Sequence, residues 1–309
     1  MHTASKGGAA GRGTDRLTAI GLMVLVVTLF ATLDAAAKYL STMAALPVVQ
    51  IVWLRFLGQS VLILLLVPAL GIASLGALIR TRKLALQLFR SLLMLATTAF
   101  NFLALRYLRL DQTIAIIFLT PLVVALLAGP VLGEWVGGRR LAAIIVGFSG
   151  ILIVVRPGLA EVHPAFLFSI ASMLAYAVFM LVTRQLAGYD PPLVTLFYSM
   201  FAGTLFAAPF AIDQWVAPSS GWIWLLLASL GALGGAGHYF LILAHRLAPA
   251  SIIAPFLYLQ VVSMTALGFL VFGDLPDVWT LAGSGVVIAS GIYLFYRERF
   301  LAGQAKGTA

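Results

Sequence analysis

The chain has 309 residues, 62% of them hydrophobic and 9% charged, with a mean hydropathy of +1.08 and no cysteine. That balance excludes a soluble domain, where about a quarter of residues are charged, and it excludes disulfides, thiolate metal sites and cysteine nucleophiles. The formal charge of +9 does not point to nucleic acid, because the basic residues lie in short stretches between apolar runs, where they report orientation in a bilayer.

A hydrocarbon core of about 30 Å is spanned by about 20 apolar helical residues. Ten such runs are expected, over 17–39, 47–70, 84–105, 112–132, 140–157, 164–184, 192–211, 221–243, 250–272 and 278–296. Arg12 and Arg16 ahead of the first run, and Ala35, Ala36 and Ala37 at its end, imitate a signal peptide. Nine further runs favour a retained anchor.

The first span ends in "ATLDAAAKYLS", residues 31 to 41, which puts Asp34 and Lys38 on one helical face. One reading has Lys38 snorkelling to the interface with Asp34 neutralising it. The other turns Asp34 into a central cavity, paired with Arg55 of span two and released or protonated when substrate binds. Rise per residue puts Asp34 roughly 9 Å below Leu40 and Arg55 roughly 12 Å below Pro47, comparable depths. Ionisable groups inside spans are functional candidates by default. Arg55 also suits a carboxylate or phosphate on a substrate, whereas Arg90, near the start of span three, is expected to snorkel.

Further along, Asn101, Thr120, Ser172, Tyr176, Tyr258 and Gln260 place hydrogen-bonding groups inside apolar spans. Some are interhelical glue; the others would line a site, where the aromatic members stack on a planar substrate. Pro121 and Pro255 each remove a backbone donor, which in lipid must be made good by neighbours or cavity water. Kinks lining a cavity and simple helix curvature are both open. In "GALGGAGHYF" (231–240) the glycines, Gly231 and Gly235 above all, allow close helix approach. His238 on the same span is either a hydrogen-bonded structural residue or a second group for proton coupling after Asp34. His163 and His245 read as loop residues, and no pair of histidines has metal-ligand spacing. Glu134 and Asp274 read as fixtures of helix-end hairpins, pairing with nearby Arg139 or with backbone amides.

With both termini in the cytoplasm, thirteen Lys and Arg fall on that side and only Lys38, Arg106, Arg109 and Arg156 on the other, as the positive-inside rule requires. A shift of 140 residues lays Arg106 on Arg246, Leu119 on Leu259, Leu127 on Leu267 and Gly133-Glu134 on Gly273-Asp274. Five spans per copy is odd, so the second copy would enter the bilayer inverted, an architecture of transporters with a site near the midplane.

The two copies, "LRYLRLDQTIAIIFLTPLVVALLAGPVLGEWV" and "LAPASIIAPFLYLQVVSMTALGFLVFGDLPD", resemble the drug/metabolite transporter superfamily, EamA type. So do "WLRF" (53–56) and "FRSLL" (89–93), and the likeness runs from about Leu17 to Arg299. The second copy has Asp274 where many members carry Glu, and Val261 opposite Pro121. The resemblance implies an all-α membrane protein of ten transmembrane helices in two inverted five-helix repeats, 17–158 and 159–299, between cytoplasmic tails 1–16 and 300–309. It implies a multi-pass secondary carrier of a bacterial-type inner membrane, working on a small organic metabolite without a cofactor. Members move amino acids outward or take up riboflavin or S-adenosylmethionine, and Tyr176, Tyr258 and Arg55 lean the reading towards a planar or zwitterionic substrate.

No Walker motif, H-E-x-x-H, or set of paired intramembrane aspartates accompanies the spans, so an ATP-driven pump and an intramembrane enzyme are not expected. Rings of like charge, as in a channel filter, are missing too. The expected partners are the bilayer and a small molecule, with monomer and homodimer both open.

Overall fold

The structure, a computed structural model, describes residues 7–69, 71, 73–132, 137–156, 163–186, 188–247 and 254–307. Among these the chain is all helical. The first half runs α1 (Gly7–Thr42), α2 (Val48–Ala69), the short α3 (Leu75–Ile79), α4 (Leu84–Tyr107), α5 (Leu110–Ile117), α6 (Thr120–Leu132) and α7 (Gly138–Val155). The second runs α8 (Phe166–Leu186), α9 (Pro192–Asp213), α10 (Gly221–Leu247), a 3-10 segment (Ala254–Tyr258), α11 (Leu259–Phe272) and α12 (Val278–Gly307). Seven stretches of these helices are long and apolar enough to cross a membrane, and Leu141–Val155, Phe256–Phe272 and Val278–Tyr293 are shorter apolar helices. His245, read as a loop residue from sequence, lies within α10.

Large apolar side chains such as Leu270, Leu167 and Leu205 are exposed on the outside of the bundle, as expected where lipid is the solvent and apolar burial no longer drives helix association. Small residues do that work instead. A Cβ added at Gly231 would lie 2.7 Å from Gly58 Cα, so α2 and α10 touch backbone to backbone there. Gly234 continues the contact against Gln59 of α2 and Gly237 meets Phe30 of α1, whereas Gly235 has only Leu62 at an ordinary 3.6 Å. Gly150 of α7 and Gly283 of α12 form a second such crossing.

The pairings obey an exchange. Helix α1 packs on α10 and α11, while α8 packs on α4 and α6; α2 packs on α10, while α9 packs on α4. Swapping the halves turns each of these into its counterpart, and the pairs α2 with α9 and α7 with α12 map onto themselves.

Arg90 does not snorkel. It is 8% exposed, donates from Nε to Thr183 Oγ1 at 2.7 Å and from Nη1 to Thr195 O at 3.3 Å and to Ser199 Oγ, and lies 4.2 Å from the Phe179 ring centroid. The side chain therefore ties α4 to α8 and α9, with acceptors that no local spacing announces.

Beside it, the buried Asp190 between α8 and α9 accepts from Thr81 Oγ1 at 2.5 Å, Arg82 N at 3.0 Å and Gln87 Nε2 at 2.9 Å. Desolvation alone would raise its pKa, but these donors and the nearby Arg82 charge hold it below the usual carboxylate range. A depressed folded-state pKa stabilises the fold above the ordinary carboxylate pKa, and this is lost as pH falls through the folded value. Asp190→Asn is accordingly expected to cost about 1–3 kcal/mol near neutral pH. The difference in melting temperature from the parent should hold down to about pH 4 and close below it; a gap that persists unchanged well below the ordinary carboxylate range would show that the charge contributes nothing.

Candidate functional site

The site starts from a broken helix. Pro121, at the second position of α6, has no N–H for the Ile117 carbonyl, and the Thr120 hydroxyl donates to that oxygen at 2.5 Å instead. Span four therefore breaks at Phe118 and Leu119, between α5 and α6. In the second half the break falls between Tyr258, the last residue of the 3-10 segment, and α11, 140 residues after Phe118. The two breaks meet: the rings of Phe118 and Tyr258 lie 5.1 Å apart, edge to face at 81°. The Tyr258 hydroxyl occupies space that a Cβ on Gly291 would take.

Around this junction lies a cavity of about 360 Å³, within the range of small-molecule sites. Its lining draws on both halves and contains ten of the residues singled out from the sequence: Asp34, Arg55, Asn101, Thr120, Pro121, Ser172, Tyr176, His238, Tyr258 and Gln260. Lys38 is not among the lining residues, and the side chain of Pro255 lies outside those described. Phe30, Met94, Thr97, Thr98, Phe102, Phe118 and Met264 also line it and were missed. A partial signal existed, since Thr97, Thr98 and Asn101 share a face of span three and Phe118 falls on Tyr258 under the 140-residue shift.

The charges are arranged differently from the expected pair. Asp34 Oδ1 accepts from Asn101 Nδ2 at 3.0 Å, and Arg55 donates from Nη1 to Thr98 Oγ1 at 2.6 Å. The Arg55 guanidinium lies 5.6 Å from the ring centroids of both Phe56 and Phe102. No ion pair joins Asp34 to Arg55 among the described residues; each charge is held by a neutral partner while both face one cavity. Ser172 donates to the Thr97 carbonyl at 2.9 Å, fastening α8 to α4, and Tyr176 stacks on Phe179 with centroids 5.8 Å apart. Of the two readings of His238, the hydrogen-bonded one finds no partner among the described residues. The His238 ring meets Phe30 edge-on at 5.2 Å, and its buried Nε2 has no hydrogen-bond partner.

Lys38 neither snorkels nor pairs with Asp34. Its ammonium is 3.0 Å from Asp274 Oδ2, donates to the Leu108 carbonyl at 3.0 Å and lies 4.7 Å from the Phe272 ring centroid. The sequence explains the meeting once the cap is seen. Gly273 ends α11 at φ 72 with its N–H on Phe269 O, and Asp274 N returns to Gly268 O, a left-handed cap that glycine permits. Asp274 is thereby aimed at Lys38, not at Arg139 or backbone alone. Arg109 bridges Asp111 at 3.0 Å and reaches Thr280 at 3.3 Å. Arg156 reaches Asp277 at 2.6 Å. The carboxyl of Asp277 is desolvated, but the Thr280 donors and Arg156 hold its pKa below the usual range. This end of the bundle is thus tied between the halves by charge. Glu134 lies outside the described residues.

Comparison with known proteins gives concordant matches. The profile of the EamA-like transporter family covers residues 17–156 and 163–297. An S-adenosylmethionine uptake transporter of Rickettsia prowazekii (strain Madrid E) is 26% identical over 86% of this chain and 88% of its own. A riboflavin transporter of Vibrio cholerae is 26% identical over 86% and 88%, and a pseudopaline exporter of Pseudomonas aeruginosa is 26% identical over 88% and 94%. One solved crystal structure superposes over 94% of this chain and 99% of its own at a TM-score of 0.61, with 17% identity, a likeness of fold alone.

Proposed function

Because this chain belongs to the EamA-like transporter family, we propose that it is a secondary carrier, moving a small organic metabolite through the cavity at the Phe118–Tyr258 junction by alternating access. It is a multi-pass membrane protein. In this reading its helices make ten spans, five from 17–158 and five inverted from 159–299, with both termini in the cytoplasm of a bacterial-type inner membrane. The exchange of helix pairings between the halves supports the repeat, and the lysine and arginine distribution supports the orientation.

The observation that carries the proposal is the lining. Both halves contribute to one cavity of substrate size, lined by a carboxylate, a guanidinium and aromatic rings from apolar spans. Such groups are expensive in lipid and are tolerated where they face a cavity. Rocking one half against the other would expose the same site to either side. The ten lining residues anticipated from sequence are then substrate or coupling residues, with Lys38 outside the site proper.

Similarity at equal identity to uptake transporters and to an exporter leaves riboflavin-like and amino-acid-like cargo, and both directions, as arms of one assay. The purified protein in sealed liposomes is expected to catalyse saturable counterflow of labelled riboflavin or of a member of a panel of amino acids, nucleosides and S-adenosylmethionine. Non-saturable flux would favour a channel, and no exchange by any member would overturn the carrier reading.

A further inference from the structure

The cavity is lined by two opposite charges that form no ion pair with each other among the described residues, and this selects among the cargoes. Asp34 is held by the neutral amide of Asn101 and Arg55 by the neutral hydroxyl of Thr98. Arg55 is 8% exposed, and a charge so far from water is costly unless it is paired. Three polar atoms of lining residues are also buried without a hydrogen-bond partner: Arg55 Nε, Thr97 Oγ1 and His238 Nε2. Buried groups left in that state cost free energy, and a guest that engages them recovers it.

We propose that the substrate is a zwitterion, an amino-acid-type head whose carboxylate docks on Arg55, with Thr97 beside it, and whose ammonium docks on Asp34. The proposal rests on the carrier reading above. A simple anion would leave Asp34, and a simple cation Arg55, with only its neutral hydrogen-bond partner; an uncharged ring system such as a flavin would leave both so. A guanidinium fork matches a carboxylate with two parallel donors, of which Nε is free here. The rings of Phe102, Phe118, Tyr176 and Tyr258 leave an apolar, aromatic enclosure for whatever side chain the head carries. Arg55 is thus assigned as the residue that reads the carboxylate.

The test uses the full-length protein, both in detergent and in sealed liposomes. The panel is the twenty amino acids and S-adenosylmethionine, each set against its decarboxylated amine, together with riboflavin. At least one zwitterion is expected to raise the melting temperature and to exchange. Its decarboxylated amine should compete at least tenfold more weakly. Arg55→Gln should abolish the preference for the acid-bearing partner, and Arg55→Lys, which keeps the charge without the fork, should restore part of it; elution as a single species guards against misfolding. Equal competition by acid and amine would overturn the proposal. So would riboflavin exchange that no zwitterion inhibits, an outcome that leaves the carrier reading intact. No exchange by any compound, riboflavin included, would overturn both.

Discussion

Asp34→Asn is expected to lower transport in reconstituted liposomes at least about tenfold while leaving the melting temperature of the purified protein unchanged or raised. The substitution keeps the shape of the side chain and an oxygen for the Asn101 amide, whose hydrogen bond is 3.0 Å long. Packing therefore has no reason to fail, and removing a charge from a low-dielectric site relieves a desolvation penalty. What is lost is a counter-charge facing the cavity. Hydrogen bonds to charged groups contribute about 1.5–3 kcal/mol, and about 1.4 kcal/mol is a factor of ten. The expected change is a higher half-saturation concentration for substrates bearing an ammonium group. A variant that transports at the parental rate and affinity would remove Asp34 from the mechanism.

Asp274→Ala is expected to destabilise the protein more than Lys38→Met does, by about 3 kcal/mol against about 1 kcal/mol. The two side chains share one ion pair but not one environment: the Lys38 side chain is 10% exposed and that of Asp274 is 27% exposed. Removing the carboxylate strands an ammonium among the Phe272 ring and the Leu108 carbonyl, where water cannot replace the lost partner. Removing the ammonium leaves a carboxylate that solvent already reaches, and methionine fills the space of the lysine stem. Thermal unfolding of both variants in the same detergent measures the difference, and equal losses would show that the pair is solvated as a surface pair is. The exchanged pair, Lys38→Asp with Asp274→Lys, should not recover the parental stability, because the shorter side chain no longer reaches Leu108 O.

Hydropathy and charge count were enough to recognise an all-helical membrane protein, and the residues later found around the cavity were visible as polar groups in apolar runs. Ten of the chosen side chains that the structure describes line it, and Lys38 does not. Their partners were not visible. Spacing put Lys38 next to Asp34, yet its partner is 236 residues away, because a four-carbon stem at a helix end reaches whatever the neighbouring helix presents. Arg90 was read as snorkelling for the same reason, its acceptors on α8 and α9 being about a hundred residues distant.

The proline at 121 announced a lost donor, but only the structure shows Thr120 replacing it on Ile117 O and Phe118 meeting Tyr258 across the two halves. By itself, then, the sequence determined which segments are helical and apolar, since helix length and hydropathy are local sums over consecutive residues. Tertiary structure alone decided which charge faces which partner and that Asp34 and Arg55 face one cavity unpaired, because the rotation and approach of packed helices are set by contacts such as Gly58 on Gly231 between residues far apart in the chain.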